Sequence, residues 1–308
     1  MNNENNKLFE DEIDLRTLFQ IVWKKKFLIL SISLIAAIFS IFYALSLPNI
    51  YTSSSLLAPT SEEDSLSSQL GRYSGLAGLA GVQLQGNSSS KSEEAIKRIK
   101  SFSFFYEYFL TNVKLENLMA LEDWIQKGNK LIYDDDQFDS ESGKWVRKVS
   151  FPQTTIPSAQ EAFIKYKSIL NIKKEADTGF VAISVDHMSP IVAKKWVDII
   201  IYNINESMRE VDKVKAVNSI AFLNESAKST NIQSIREVIA NLQETQMQTL
   251  MLASSNKEYI FKIIDSAIVP ERKSAPNRVF ICILGTIFGG MLSLLIVFMQ
   301  VYRESSKT

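Results

Sequence analysis

Two long runs carry no charged residue, Phe27 to Leu47 and Val279 to Tyr302, and they limit what this chain can fold into more than any other feature. At ~1.5 Å of rise per residue, each is long enough to cross a hydrocarbon core of ~30 Å. The first places Leu, Ile or Phe at 13 positions. On an insertion scale these contribute roughly −4 to −8 kcal/mol as an upper bound, partly offset by Ser31, Ser33, Ser40 and Ser46. Both runs read as transmembrane helices, 27–47 and 279–302. They divide the chain into a leading segment 1–26, a domain 48–278 and a tail 303–308. A cleaved signal peptide is the rival reading of the first run, since Ala44-Leu45-Ser46 has small-x-small character. The run is, however, longer than the ~7–15 residues of a signal core.

Orientation follows from the flanks. Trp23-Lys24-Lys25-Lys26 sets three cations and an interfacial Trp before the first span, which places the N-terminus in the cytoplasm. A second span returns the C-terminus to that side, where Arg303 and Lys307 follow it. Arg272, Lys273 and Arg278 argue the other way, but a long domain translocates largely regardless of its charge, so the first helix decides.

Composition supports this division. Lys plus Arg and Asp plus Glu balance at 34 each in 308 residues, so no bulk charge points to nucleic acid or an acidic substrate. The only cysteine, Cys282, lies in an apolar run and forms no intrachain disulfide. The only histidine, His187, precedes Ser189-Pro190 and reads as a loop residue; without partners at ligand spacing it makes no metal site. No cofactor is expected.

The segment between the spans alternates between strand and helix signals. Ile50 to Leu57 reads as a short strand weakened by its serines. Ser61 to Ser90 is rich in Ser, Gly and acids. Its run Gly75-Leu76-Ala77-Gly78-Leu79-Ala80-Gly81 suits a loop or close backbone packing, and lacks the Gly-Lys-Ser/Thr of a phosphate loop. Ser92 to Leu110 reads as one amphipathic helix, with Ala95, Ile96, Ile99, Phe102, Phe105 and Phe109 at three- and four-residue steps. Asp134-Asp135-Asp136, with Asp139 and Glu141, lacks the spacing and glycine of a calcium loop and reads as solvated.

Asn171–Ala176 and Phe180–Asp186 around Asp177-Thr178-Gly179 predict a hairpin, with Val181, Ile183 and Val185 alternating. Ser189-Pro190 opens a helical stretch, about 190–257, free of Gly and further Pro. Val197, Ile200, Ile204, Met208, Val211 and Val214 carry its apolar stripe, which Ile235, Ile239 and Leu242 resume. If unbroken it would reach ~100 Å, with Ser226 to Asn231 the expected bend. Such a length must protrude and pack on its own return segment or on neighbouring copies. Ile263 to Val269 reads as a closing strand.

These landmarks resemble the Wzz chain-length-determinant family, the polysaccharide co-polymerases of bacterial inner membranes. The resemblance runs through Ile13-Asp14-Leu15, the Trp23 basic cluster, Tyr51 to Pro59, Glu94-Ala95-Ile96 to Ser101-Phe102, and Thr178-Gly179-Phe180 to Pro190 with Ala193 and Trp196. It continues through Met251-Leu252-Ala253, Tyr259 to Asp265, and Val269-Pro270 to Pro276-Asn277-Arg278. It implies an α+β membrane protein: two transmembrane helices flanking a periplasmic α/β base domain near the membrane, with a long protruding helix. It implies a ring-shaped homo-oligomer in the inner membrane that sets the modal length of a lipid-linked glycan, usually O-antigen, made by a membrane polymerase. Enterobacterial common antigen or capsule are the alternative polymers.

Gly285 and Gly289 form a G-x-x-x-G pair that lets helices approach closely, either between copies or only against the first span. With Pro270 and Pro276 they are the candidate residues for oligomerisation and membrane packing. Some relatives for capsule or exopolysaccharide carry a tyrosine kinase. No G-x-x-x-x-G-K-[ST] occurs here and six residues follow Tyr302, so no fused kinase is expected. Ser254-Ser255-Asn256-Lys257 matches S-x-x-K without the companion motifs of penicillin-recognising enzymes, and no enzyme is expected. A two-pass periplasmic sensor would need an output module, for which the 26 residues before the first span and the few after the second leave no room; a sensor acting only through a partner is the remaining alternative.

Overall fold

The computed structural model describes residues 22–60 and 91–305; Ile13-Asp14-Leu15 and the glycine run within Ser61–Ser90 lie outside the described residues. The chain forms two compact units, Met1–Asn49 with Ser274–Thr308, and Ile50–Lys273.

The smaller unit contains the two apolar helices, Lys26–Ser46 and Arg278–Ser305. Lys26 Nζ lies over the Trp23 ring, 4.8 Å from its centroid, at the start of the first. Three of the four serines that weaken this run's transfer energy bond inside the helix. Ser31 donates to the Leu28 carbonyl at 3.0 Å, Ser40 to Ala37 at 2.8 Å and Ser46 to Tyr43 at 2.9 Å. A hydroxyl bonded in this way carries little polarity into lipid.

The larger unit is built on a four-stranded antiparallel sheet whose strands lie in the order Leu170–Lys174, Val181–His187, Tyr51–Pro59 and Phe261–Asp265. β1 (Tyr51–Pro59) is followed by α1 (Lys91–Ile99) and α2 (Phe102–Phe104), which continues as a π-helical turn over Phe105–Phe109. Next come α3 (Leu115–Met119) and two small hairpins, β2 (Leu121–Ile125) with β3 (Lys130–Tyr133) and β4 (Phe138–Asp139) with β5 (Lys144–Trp145). α4 (Ala159–Ile169) leads into β6 (Leu170–Lys174) and β7 (Val181–His187). Then follow α5 (Pro190–Ser229), α6 (Gln233–Ser255) and β8 (Phe261–Asp265).

The predicted hairpin is β6–β7, in the register Leu170↔Val185 to Lys174↔Val181, with Gly179 at φ +72° in its turn. β7 buries Val181, Ile183, Val185 and His187 on one face, as a period of two requires. β1 pairs with it from Tyr51↔His187 to Leu57↔Val181. Two of the three β1 serines face inward: Ser53 donates to the Ile268 carbonyl at 2.7 Å and Ser55 to that of Asp265 at 2.6 Å, while Ser54 is exposed on the other face. The closing strand is shorter than expected. It runs Phe261–Asp265; the Ser55 hydroxyl holds its last residue and the Ser53 hydroxyl holds the chain beyond it.

The helix expected over Ser92–Leu110 is interrupted. Ser101 takes an extended conformation (φ −84°, ψ 154°), and its hydroxyl accepts from Phe104 N at 3.3 Å, starting a new helix. The restart buries Phe104, Phe105 and Phe109 and leaves Phe102 at the surface. All three belong to the buried core with Tyr166 and Trp196: Phe105 lies 5.1 Å from Tyr166, and Phe109 lies 4.7 Å from Tyr166 and 5.4 Å from Trp196.

α5 begins at the expected cap: Ser189 Oγ accepts from Val192 N at 3.5 Å, and Pro190 is the first helical residue. Its first half buries Ala193, Trp196, Val197, Ile200, Ile204 and Met208. The expected stripe ends there, because Val214 is 55% exposed. The helix breaks after Ser229, within the expected bend of Ser226 to Asn231. Thr230 is extended (φ −103°, ψ 136°) and its carbonyl accepts from Arg236 Nε at 3.0 Å. α6 then returns along α5, and Gln243 Nε2 donates to Asn224 Oδ1 at 2.8 Å between them. We call residues 213–255 the arm.

Candidate functional site

In the smaller unit Gly285 and Gly289 share one face of the second apolar helix, and that face meets the first helix of the same chain. A Cβ placed on Gly285 would lie 2.4 Å from Ser40 Cβ, and one on Gly289 would lie 2.3 Å from Ala36 Cβ. Hydrogen is therefore the largest group the helix spacing admits at either position. Ser293, one turn further, is fully buried and donates to the Gly290 carbonyl at 2.6 Å. Arg278 closes the other end, donating to the Leu47 carbonyl and to Asn49 Oδ1, each at 3.3 Å. The prolines are not on this face. Pro276 stands two residues before the second helix, and Pro270 lies in the irregular chain beyond β8.

In the larger unit His187 is not a loop residue. It ends β7, is 8% exposed, and packs edge-on against Trp196 with ring centroids 4.6 Å apart. Nδ1 accepts from Ser189 N at 3.0 Å, so Nε2 carries the proton and donates to the Asn117 carbonyl at 3.1 Å. Burial lowers its pKa and nearby Lys165 adds to this, against the two backbone contacts. A cavity of about 240 Å³ lies alongside, lined by Ile50, Leu118, Lys165, Ile169 and Asp186 among others. Tyr166, buried in the aromatic cluster, donates to the Ile99 carbonyl at 3.0 Å, and burial raises its pKa.

Arg147 staples the 147–155 loop to the start of α4. It grips both Glu161 oxygens, at 2.6 and 3.0 Å, and donates to the Thr154 and Thr155 carbonyls. Glu161 also completes a capping box with Ser158. The guanidinium holds the Glu161 carboxyl down at about 2.

Other features singled out in the sequence serve as local structure. Asp134 accepts from Asp136 N at 3.0 Å and from the Gln137 side chain at 2.7 Å, and Asp139 from Glu141 N at 2.9 Å: acids capping their own turns. Ser254 donates to the Leu250 carbonyl at 2.7 Å, and Lys257 is exposed beyond the end of α6.

Sequence reasoning missed Asn205, which is 4% exposed on the buried face of α5. It accepts from Ile260 N at 2.8 Å and Phe261 N at 2.9 Å, and donates to Phe261 O at 3.3 Å and Ile201 O at 3.1 Å. Its signal was legible: an amide at helical spacing between Ile201 and Met208 on the buried stripe needs partners. The arm presents a different surface. Asn218, Ser219, Phe222, Leu223, Leu242 and Gln246 line a groove of about 440 Å³ between its helices, and Val217, Phe222, Val238, Met247 and Met251 are exposed along it.

The family model Wzz, chain length determinant protein, matches residues 11–109. A second, GNVR, the G-rich domain of tyrosine-kinase-like proteins, matches residues 229–302. No curated protein matches the sequence. Among solved structures, a full-length bacterial polysaccharide co-polymerase is similar at 14% identity, covering 95% of this chain and 99% of that one, with a TM-score of 0.41. A fragment of WzzB, polysaccharide co-polymerase from Salmonella Typhimurium, is similar at 13% identity, covering 74% of this chain and all of that one (100%), with a TM-score of 0.29.

Proposed function

This chain is of the Wzz type, a polysaccharide chain length determinant, and we propose that its polymer is the O-antigen of lipopolysaccharide. The observation that carries this reading is the chain length determinant match over residues 11–109. Two apolar helices, each long enough to cross a bilayer, and a long helical arm in the same chain support it.

In this reading the apolar helices span the bacterial inner membrane, with both termini in the cytoplasm and residues 48–278 in the periplasm. Three lysines before the first span support that orientation. The protein acts as a ring-shaped homo-oligomer that engages a membrane polymerase and its lipid-linked glycan, and is not itself a catalyst. Many weak contacts along the arms hold the growing chain or the polymerase for a characteristic time, because linked weak sites retain a ligand far longer than one. Gly285 and Gly289 serve membrane packing by allowing the two helices of a chain to close, and through that pairing they support assembly. Pro270 and Pro276 position the chain that leads into the second span.

Deleting the gene and running the lipopolysaccharide on a silver-stained gel tests the reading. Loss of a clustered set of long-chain bands, leaving a distribution dominated by short chains, is expected. An unchanged ladder would reject O-antigen as the polymer. The reading would then move to enterobacterial common antigen or capsule, examined by the size distribution of each polymer in the same strain.

A further inference from the structure

At the root of the arm, where α5 leaves the core, Asp212 gathers three parts of the larger unit on a single oxygen. Its Oδ2 accepts from Lys91 Nζ at 2.7 Å and from the Tyr259 hydroxyl at 2.8 Å. Lys91 is the first residue of α1, and Tyr259 lies between the end of α6 and the start of β8. The Lys91 ammonium also sits over the Tyr259 ring, 5.6 Å from its centroid. Across the same residue, Thr60, next after β1, donates its hydroxyl to the Tyr259 carbonyl at 2.8 Å and its N–H to the Ile260 carbonyl at 3.0 Å. Asp212 itself is 12% exposed.

The position along α5 gives this junction its meaning. Up to Met208 the helix is held by the aromatic core, and from Lys213 onward most of its residues are exposed. Ala216 and Ala253, both buried, bring α5 and α6 together just above. Asn205 pins the return strand one to two turns below. Between those two levels, Asp212 is the charged tie that joins the outgoing helix to the returning chain. Charge-assisted bonds to a mostly buried carboxylate are stronger and more directional than apolar contacts, so they fix direction as well as proximity.

We propose that Asp212, with Lys91 and Tyr259, locks the root of the arm, and that this lock is a positioning element for chain-length control. The second half rests on the function proposed above; the first half does not. Asp212→Leu removes both bonds, Lys91→Met removes the charge partner and Tyr259→Phe removes the hydroxyl alone.

The test uses the full chain in detergent and reads backbone hydrogen exchange peptide by peptide, alongside the polysaccharide length distribution in cells carrying each variant. Exchange over residues 213–255 should rise roughly tenfold or more in Asp212→Leu and less in Tyr259→Phe, while residues 193–208 stay protected. The bands should broaden in the same order. The reciprocal pair Lys91→Asp with Asp212→Lys should recover both readouts in part. If Asp212→Leu does not fold, Lys91→Met and Tyr259→Phe carry the comparison. Arm exchange unchanged in the folded variants overturns the lock. Faster arm exchange with an unaltered band pattern, in a strain whose bands depend on the gene, overturns its role in length control. A strain whose polymers ignore deletion of the gene rejects the proposed function instead, and leaves the exchange result standing.

Discussion

Asn205 spends its whole hydrogen-bonding capacity on the backbone: its oxygen accepts from Ile260 N and Phe261 N, and its amide donates to Ile201 O and Phe261 O. Asn205→Leu fits an apolar surface yet orphans two buried N–H groups, which costs ~2–6 kcal/mol at ~1–3 kcal/mol for each. Denaturant unfolding of the full chain measures it, and a loss below ~1 kcal/mol would show that water repairs the site. His187 gives a pH dependence. Burial foremost lowers its folded pKa, so below the unfolded value of ~6.5 the unfolded chain binds more protons than the folded one. The stability it contributes is complete above that value and is lost as pH falls from there toward the lowered folded value. His187→Gln should flatten the slope of the thermal midpoint between pH 7 and 5; an unchanged slope would place its origin elsewhere. The burial of His187 was not legible beside Ser189-Pro190, because what covers it, Asn117 and Trp196, comes from other elements.

Among elements, those whose signals are local were legible in the sequence. Gly179 in its turn and alternating Val181, Ile183 and Val185 announce the β6–β7 hairpin, and Ser189-Pro190 announces α5. Elements decided at a distance were not. Apolar spacing runs through Ser101 unbroken, yet burying Phe104 with Phe105 and Phe109 requires a new helix start there. β8 begins where Asn205 holds it and ends where Ser55 does, and neither limit is marked in its own residues. For the apolar helix pair the spacing of Gly285 and Gly289 was legible, but not its occupant; the facing Ser40 and Ala36 supply that. Gly285→Leu with Gly289→Leu must open the pair, since carbon contacts need ~3.5–4.0 Å where a Cβ has 2.4 and 2.3 Å. We expect reduced oligomer size on native gels and a shifted modal length. If both stay as in the wild type, packing at this face serves neither.

For the molecule as a whole, the arm ties reach to register. Asn224 bonds Gln243, and Asn218, Ser219, Phe222 and Leu223 line one groove with Leu242 and Gln246, which fits an antiparallel pairing in which positions 219 and 225 face roughly 247 and 241. Removing Ser219–Glu225 together with Asn241–Met247 therefore deletes facing segments and rejoins each helix two turns on, with its stripe preserved. Seven residues at ~1.5 Å shorten the arm by about 10 Å and leave Asn205, Asp212 and the core untouched. Deleting one residue from one helix would instead rotate the face beyond it by about 100° out of pairing, and serves as the control for lost register. If the arm sets length by the extent of surface it offers a growing glycan, the matched deletion should move the modal length while polymerisation continues. The single deletion should broaden the distribution without a new mode. A matched deletion that assembles normally and leaves the mode where it was would mean that arm length is not the measure, and would move attention to the root at Asp212 and to the membrane helices.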